Sequence, residues 1–382
     1  MQVTGDWLTA AGTQAVLRLL NSAGYEAYCV GGCVRNALLG VPVADVDIAT
    51  NAEPTRVAEL AEAAGYKVVP TGIDHGTVTV VVDSEPYEVT TYRNDVETDG
   101  RRAVVTFATD IAEDARRRDF TVNALYVQAD GTLVDPLGGY PDIAARRIRF
   151  IEDASTRIEE DYLRILRFFR FYAWYGDGDM DAEGLAACAS HVDGIAKLSK
   201  ERIGAEMAKL LAAPDPAPTV AAMAASGVLA QVIGGADITA LAPLVHIEQT
   251  LEIAPRWQRR LAALGGNGVA KALRLSKADA TYLKQVRAAD CGAAEAGYRF
   301  GSDVALDAKL IEAASLGAMP DSGLLADVTR GAAAVFPVRA ADLMDRFDKG
   351  PALGAELRRL EDVWIKSGFS APREKLLSSD VK

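Results

Sequence analysis

The stretch Tyr28-Cys-Val-Gly-Gly-Cys-Val-Arg-Asn-Ala-Leu-Leu-Gly40, followed by Val43-Ala-Asp-Val-Asp-Ile-Ala-Thr50, decides how the rest of the chain is read. Its pattern predicts a strand over residues 25–30, a glycine turn, a short helix over 34–39 and a second strand over 45–49. Side chains at i and i+2 of a strand share a face, so Asp45 and Asp47 are expected to project their carboxylates together. Such a pair repels unless a cation sits between. Mg²⁺, which takes one or two carboxylates with phosphates and waters, is the natural candidate. A lone Asp-x-Asp is better read as a solvent-facing strand edge. The glycine pair changes that balance, because Gly31 and Gly32 let backbone approach a triphosphate closely. The helix that follows offers unpaired N–H groups, and Arg35, one turn in, adds a charge-assisted contact.

Working outward, residues 13–23 and 55–64 read as helices. Residues 76–82 and 87–92 read as strands joined at Asp83-Ser84-Glu85-Pro86, a hairpin. In the second of these strands Glu88, Thr90 and Tyr92 are expected on a polar face opposite Tyr87, Val89 and Thr91. Glu88 is then either a third carboxylate beside the aspartates or a solvated strand residue. From Ile143 onward strand patterns give way to Ala, Leu, Glu and Arg at helical spacing. The predicted fold class is α+β: a mixed α/β head with a small sheet over residues 1–140, a helical neck over 141–213, and a helical body and tail over 219–382. Pro214, Pro216 and Pro218 mark the break between neck and body.

The chain has 382 residues, 49% hydrophobic and 25% charged, enough for a full core and more than one domain. Its net charge of −12 counts against a nucleic-acid partner, since phosphate neutralisation supplies much of such affinity. Arginines nevertheless cluster at 116–118, at 146–149 and at 164–170, and read either as a basic stripe or as solvated helix faces. The four cysteines show no CxxC spacing and so argue against a zinc ribbon or disulfide scaffold. His75, His191 and His246 share no ligand spacing, and His75 reads as part of a turn. Reduced cysteines and the absence of a basic-then-apolar N-terminus predict a cytoplasmic protein with no membrane partner. Nothing identifies a protein partner.

Three further motifs carry a resemblance. Arg117-Arg-Asp-Phe-Thr-Val-Asn-Ala-Leu125, Asp135-Pro-Leu-Gly-Gly139 and Glu160-Asp-Tyr-Leu-Arg-Ile-Leu-Arg-Phe-Phe-Arg-Phe171 stand in order behind the Asp-x-Asp. Together these resemble the RRDxxxNA motif, hinge and EDxxRxxRxxRF motif of the class II nucleotidyltransferases, the CCA-adding enzymes and bacterial poly(A) polymerases. The resemblance implies that Asp45 and Asp47 bind Mg²⁺ and that Glu88 helps activate an RNA 3′-hydroxyl. It implies that Gly32 and Arg35 hold the triphosphate and that Arg118, Asp119 and Asn123 contact phosphates and ribose. Asp161, Arg164, Arg167 and Arg170 would line the base side. Asp161 only accepts hydrogen bonds and a charged Arg164 only donates. That pair suits the amino-and-ring-nitrogen edge shared by cytosine and adenine, so CTP and ATP are the expected substrates; tRNA as the partner is what the resemblance implies. Residues three apart on a helix turn by about 60°, which predicts Arg170 nearly opposite Asp161.

One departure stands out: the family usually has Asp where this chain has Asn36. Pro70-Thr-Gly-Ile-Asp-His-Gly-Thr-Val-Thr-Val80 resembles the CCA-adding form, and residues 94–110 are expected as the flexible loop that full CCA addition requires. Poly(A) polymerase, an inactive RNA-binding relative and a small-molecule nucleotidyltransferase are the competing readings.

Overall fold

The computed structural model describes residues 1–70, 72–73, 76–98 and 103–378, so His75 lies outside the described residues. The chain forms two compact units, Met1–Gly234 and Gly235–Lys382. The first holds a seven-stranded sheet built from β1 (Ala27–Val30), β2 (Asp47–Thr50), β3 (Lys67–Val69), β4 (Thr77–Val82), β5 (Glu85–Thr91), β8 (Tyr126–Val127) and β9 (Leu133–Val134). Their order is β3-β4-β5-β2-β1-β8-β9. A separate ribbon pairs β6 (Arg93–Thr98) with β7 (Ala103–Phe107). Within residues 94–110, expected as a flexible loop, the described residues 94–98 and 103–107 pair in this ribbon.

Register explains what the sheet positions. β1 runs antiparallel to β2 with Val30 opposite Asp47, and β2 runs parallel to β5 with Asp47 opposite Glu88. The Gly31 turn leaving β1 is therefore brought to the strand end that carries Asp47. The β4–β5 hairpin is tighter than its sequence predicted. Asp83 and Ser84 alone turn the chain, with φ of 50° and 72°, the left-handed values a two-residue I′ turn demands, and Glu85 and Pro86 already belong to β5.

One sheet face is covered by the helices Ala11–Ser22 and Pro54–Ala63, which bury Val16, Leu17, Leu20, Val57 and Ala61. On the other, Val30, Ala49, Tyr92, Ala115, Ala124, Tyr126 and Ile151 form a buried cluster. Tyr92, expected on a polar strand face, is fully buried and donates to Glu26 at 3.2 Å. Beyond Gly139 the named elements of the first unit are helical. Asp135 starts that region by accepting from the backbone N–H groups of Gly139 and Tyr140 at 2.8 and 2.9 Å. The prolines begin a helix as well as break one: Pro216 caps Ala217–Ala225, and Pro218 lies in its first turn, where a missing N–H costs nothing.

The helix Leu163–Tyr175 is fastened to the head by aromatic contacts. Phe120 lies 4.9 Å from Phe150 and 5.2 Å from Phe171, and Phe150 stacks on Phe168 at 5.5 Å. Phe120 and Phe168 are fully buried.

The second unit is a helical bundle with a core around Leu244, Ile247, Leu310 and Val328 and a second cluster around Leu343, Leu360 and Trp364. Within it, buried Glu248 accepts from Arg259 at 2.6 Å and Arg260 at 2.7 Å, and Arg259 also meets Asp307 at 2.6 Å. Removing one member of such a pair leaves buried charge uncompensated. Glu248→Ala is expected to destabilise this unit by about 3–5 kcal/mol, read as a lower urea midpoint by circular dichroism.

Candidate functional site

The turn after β1 opens a cavity of about 500 Å³. Gly31 caps the helix Gly32–Leu39 with φ 73° and ψ −117°, a conformation L-residues avoid, and a Cβ there would stand 3.4 Å from Arg118 Nη1. Helix termination is equally local: Gly40 is left-handed, and Val41 N–H returns to Asn36 O at 2.8 Å. Arg35 is buried in the cavity wall. Its guanidinium lies 4.0 Å from the Tyr175 ring centre and donates to Asn123 Oδ1 at 2.6 Å, Asn36 Oδ1 at 2.8 Å and Tyr175 OH at 2.9 Å. Its Nε has no partner. Burial lowers its pKa, a sign that the charge is short of compensation.

Asp47 sits at the start of β2 on the cavity side. Its carboxyl is raised above the usual range, chiefly by burial and then by Glu88, with Asp45 adding and Arg118 opposing. Asp45 is not in the strand. β2 begins at Asp47, and Asp45 is exposed on the preceding loop, so the shared-face argument does not apply to it. Glu88 is exposed on β5, across from Asp47. Among the described residues no three His, Cys, Asp or Glu side chains stand close enough to enclose an ion.

The Arg117–Leu125 motif supplies the floor. Arg117 and Arg118 grip buried Asp114 at 2.6 and 2.9 Å, and Tyr126 OH donates to it at 2.7 Å. Burial pushes the Asp114 carboxyl up, but Arg118 and Arg117 outweigh it and hold the pKa at about 2. Asp119 is buried, accepts from Asn123 Nδ2 at 2.9 Å and pairs with Arg167 at 2.5 Å. Arg35, Asn123, Asp119 and Arg167 thus form one continuous hydrogen-bonded chain across the cavity.

The base-side group departs from its predicted geometry. Asp161 has φ −153° and ψ 104°, so it lies in a break between the helices Ala154–Glu160 and Leu163–Tyr175. There its carboxylate accepts from Leu163 N–H at 3.1 Å and from Arg202 at 2.6 Å. Because Asp161 is outside the helix, the rotation argument starts at Arg164. Arg164, Arg167 and Arg170 span about 120°, and all three line the cavity. Arg164 is held by Glu160 and by Arg157 O at 2.6 Å, while Arg170 pairs with Glu206 and stacks 4.2 Å from Phe171.

Eleven of the expected residues, Gly31, Gly32, Arg35, Asp47, Arg118, Asp119, Asn123, Asp161, Arg164, Arg167 and Arg170, border this one cavity; Asp45 and Glu88 do not. Sequence reasoning missed Arg93, Arg117, Phe171 and Arg202 in its wall, and Asp114, Tyr126, Glu160 and Glu206 behind it. Arg202 carried one usable signal, its place in the first turn of the helix Lys200–Leu211. Eight arginines face three aspartates here, an excess of positive charge suited to a polyanion, with one partly desolvated carboxylate at its edge.

Residues 27–149 match the family model described as Poly A polymerase head domain, and residues 179–237 the one described as probable RNA and SrmB-binding site of polymerase A. The mitochondrial CCA tRNA nucleotidyltransferase 1 of Mus musculus is 34% identical over 394 residues, covering 97% of this chain and 90% of that protein. The CCA-adding enzyme of Streptococcus pyogenes is 44% identical over 212 residues, 55% of this chain and 52% of the relative. The crystal structure of Bacillus stearothermophilus CCA-adding enzyme in complex with CTP is similar with TM-score 0.76 and 29% identity, covering 96% of this chain and 95% of the other. The expectation of a cytoplasmic protein is corrected by these comparisons, because the Mus musculus, Homo sapiens and Danio rerio relatives are mitochondrial. Unpaired cysteines report redox state rather than compartment. Among the described residues no helix is long and apolar enough to cross a membrane.

Asp114 yields a pH prediction. Its folded pKa of about 2 lies below the ordinary aspartate value, so its stabilisation is present above pH ~4 and is lost as pH falls toward 2. The loss amounts to about 2 kcal/mol. Acid titration by circular dichroism should show it, and Asp114→Asn should remove that part of the pH dependence while lowering stability at neutral pH.

Proposed function

This chain belongs to the CCA-adding enzyme family of class II nucleotidyltransferases, and on that premise we propose that it adds CMP and AMP to the tRNA 3′ end, releasing pyrophosphate. The observation that carries this reading is the convergence of the glycine turn, Asp47 and the arginine wall on one cavity. Family membership implies a catalytic divalent metal, which we assign as Mg²⁺ held by Asp45 and Asp47. Two carboxylates, with no third enclosing ligand among the described residues, suit an ion that keeps waters and phosphate oxygens in its shell. When bound, such an ion supplies charge neutralisation at the transferring phosphoryl group and lowers the pKa of the attacking hydroxyl.

The chain's own residues account for placement. Gly31 and Gly32 admit the phosphates to the N-terminus of the helix Gly32–Leu39, and Arg35 and Arg118 neutralise them. Asp119 and Asn123, fixed by Arg167 and Arg35, present polar edges to the ribose. Glu88 stands across from Asp47, where it orients the primer hydroxyl and accepts its proton. Arg170 braces the wall through Glu206.

Nucleotide choice rests on Asp161 and Arg164. A carboxylate has about four acceptor sites and a guanidinium five donors; the contacts to Leu163, Arg202, Glu160 and Arg157 leave capacity on both. An amino donor beside a ring-nitrogen acceptor satisfies that pair, whereas uracil and guanine present the reverse. We assign residues 1–140 to catalysis, 141–213 to the neck that carries the base reader, and 219–382 to the body of the tRNA. The last begins within the segment that matches the RNA-binding model.

A tRNA transcript lacking its terminus, incubated with CTP and ATP, should gain three nucleotides and stop. A lengthening ladder of A would instead make the chain a poly(A) polymerase, and no uptake of labelled CTP would overturn the enzymatic reading. Asp47→Ala should cut turnover by more than about 100-fold, the upper cost seen for mere outer-shell metal partners, with CTP binding and fold retained. Asp161→Ala should erode discrimination against UTP and GTP, which mismatched polar groups set at roughly 10⁴. Single-nucleotide incorporation kinetics measure it.

A further inference from the structure

We propose that Gly194 sets nucleotide selectivity from behind the cavity, by seating the Tyr162 ring and so holding Asp161 where it meets the base edge. The inference deepens the base-reading role proposed above for Asp161 and Arg164, and rests on that reading.

The backbone does not explain a glycine at 194. It lies inside the 3₁₀ helix Val192–Lys197, its N–H donates to His191 O at 3.0 Å, and its φ is outside the left-handed region. Other L-residues adopt that conformation without strain. The constraint is instead a neighbour. Gly194 is buried, and a Cβ added to it would overlap the Tyr162 ring, standing 2.5 Å from its Cγ. Cγ is the ring atom nearest the main chain, so swinging the far end of the side chain gives no relief; the ring and the backbone carrying it must shift. Lys197, three residues on and so on the same face of the 3₁₀ helix, places its ammonium 4.8 Å from the centre of the same ring.

Tyr162 joins the two base-side residues. It caps the helix Leu163–Tyr175 with φ −59° and ψ −15°, directly after the extended Asp161. The Asp161 carbonyl accepts from Arg164 N–H at 3.0 Å, and its carboxylate accepts from Leu163 N–H at 3.1 Å. A displacement of Tyr162 is therefore passed to acceptor and donor alike. Arg202 fixes the far end of the Asp161 carboxylate at 2.6 Å, and the ring seat fixes its main-chain end. Neither Gly194 nor Tyr162 borders the cavity, so both act through Asp161 as positioning residues.

Gly194→Ala, Tyr162→Ala, their double variant and Tyr162→Phe test this in the full chain, by single-nucleotide incorporation into a tRNA transcript lacking its terminus. Gly194→Ala should lower the preference for CTP over UTP in kcat/KM by about 10- to 100-fold, the cost of an ångström-scale misplacement. Calorimetric titration with inorganic tripolyphosphate should show unchanged affinity, because the glycine turn and Arg35 are untouched. A merely structural role would lower the thermal midpoint without moving the preference. Tyr162→Ala should lose a similar preference, and adding Gly194→Ala to it should cost nothing further, since the ring that the methyl group strikes is gone. Tyr162→Phe keeps the ring and should keep the preference. If thermal denaturation shows Gly194→Ala unfolded, the contrast between Tyr162→Ala and Tyr162→Phe decides. An unchanged preference in folded Gly194→Ala overturns the proposal, as does equal loss in Tyr162→Phe and Tyr162→Ala, or the same Gly194→Ala penalty with and without the ring. Wild-type preference in Asp161→Ala sinks the base-reading assignment and this proposal together; preference lost in Asp161→Ala but kept in Gly194→Ala sinks the proposal alone.

Discussion

The strand register around β2 is the constraint on which the site depends. Val30 faces Asp47 on one side and Glu88 faces it on the other, through one antiparallel and one parallel ladder. A slip by one residue would turn every side chain of β2 to the opposite face and bury Asp47 where Ile48 now sits. The buried run Ile48, Ala49, Thr50 opposes that slip, because each contributes to a packed face. Apolar packing thereby dictates where a carboxylate stands, and Gly31 follows because it is the next turn after Val30.

Electrostatics in the first unit follow a recurrent plan: one acid is shared by two arginines. Asp114 serves Arg117 and Arg118, Asp142 serves Arg147 and Arg149, and Glu160 serves Arg157 and Arg164. Each trio carries a residual positive charge, and two of them place Arg117, Arg118 and Arg164 in the cavity wall. A chain of net charge −12 thereby holds a locally cationic cavity. The overall acidity belongs to the remaining surface, and bulk charge misleads about the local field.

Legibility followed locality. The glycine turn, the short helix, the hairpin and the helical second half were readable because strand and helix periods and turn chemistry are written in neighbouring residues. Errors arose where tertiary context overrides them. Asp45 belongs to the alternation of a strand, but pairing with β1 and β5 starts only at Asp47. Asp161 continues a helical pattern, yet its side chain bonds Leu163 N–H and Arg202, stabilising a break instead. Tyr92 fits a polar face by parity but follows β5, where its ring enters the core. Arg202 and Glu206 come from a distant helix, and no local pattern links them to Asp161 and Arg170. The two-residue strands β8 and β9 are too short for any periodicity to announce them.

The aromatic stack of Phe120, Phe150, Phe168 and Phe171 has a consequence for accuracy. It packs the helix bearing Arg164 against the segment bearing Asp119 through buried ring contacts. On the proposed function, the surface that reads an incoming base and the surface that seats its sugar are thereby joined by one packed aromatic core.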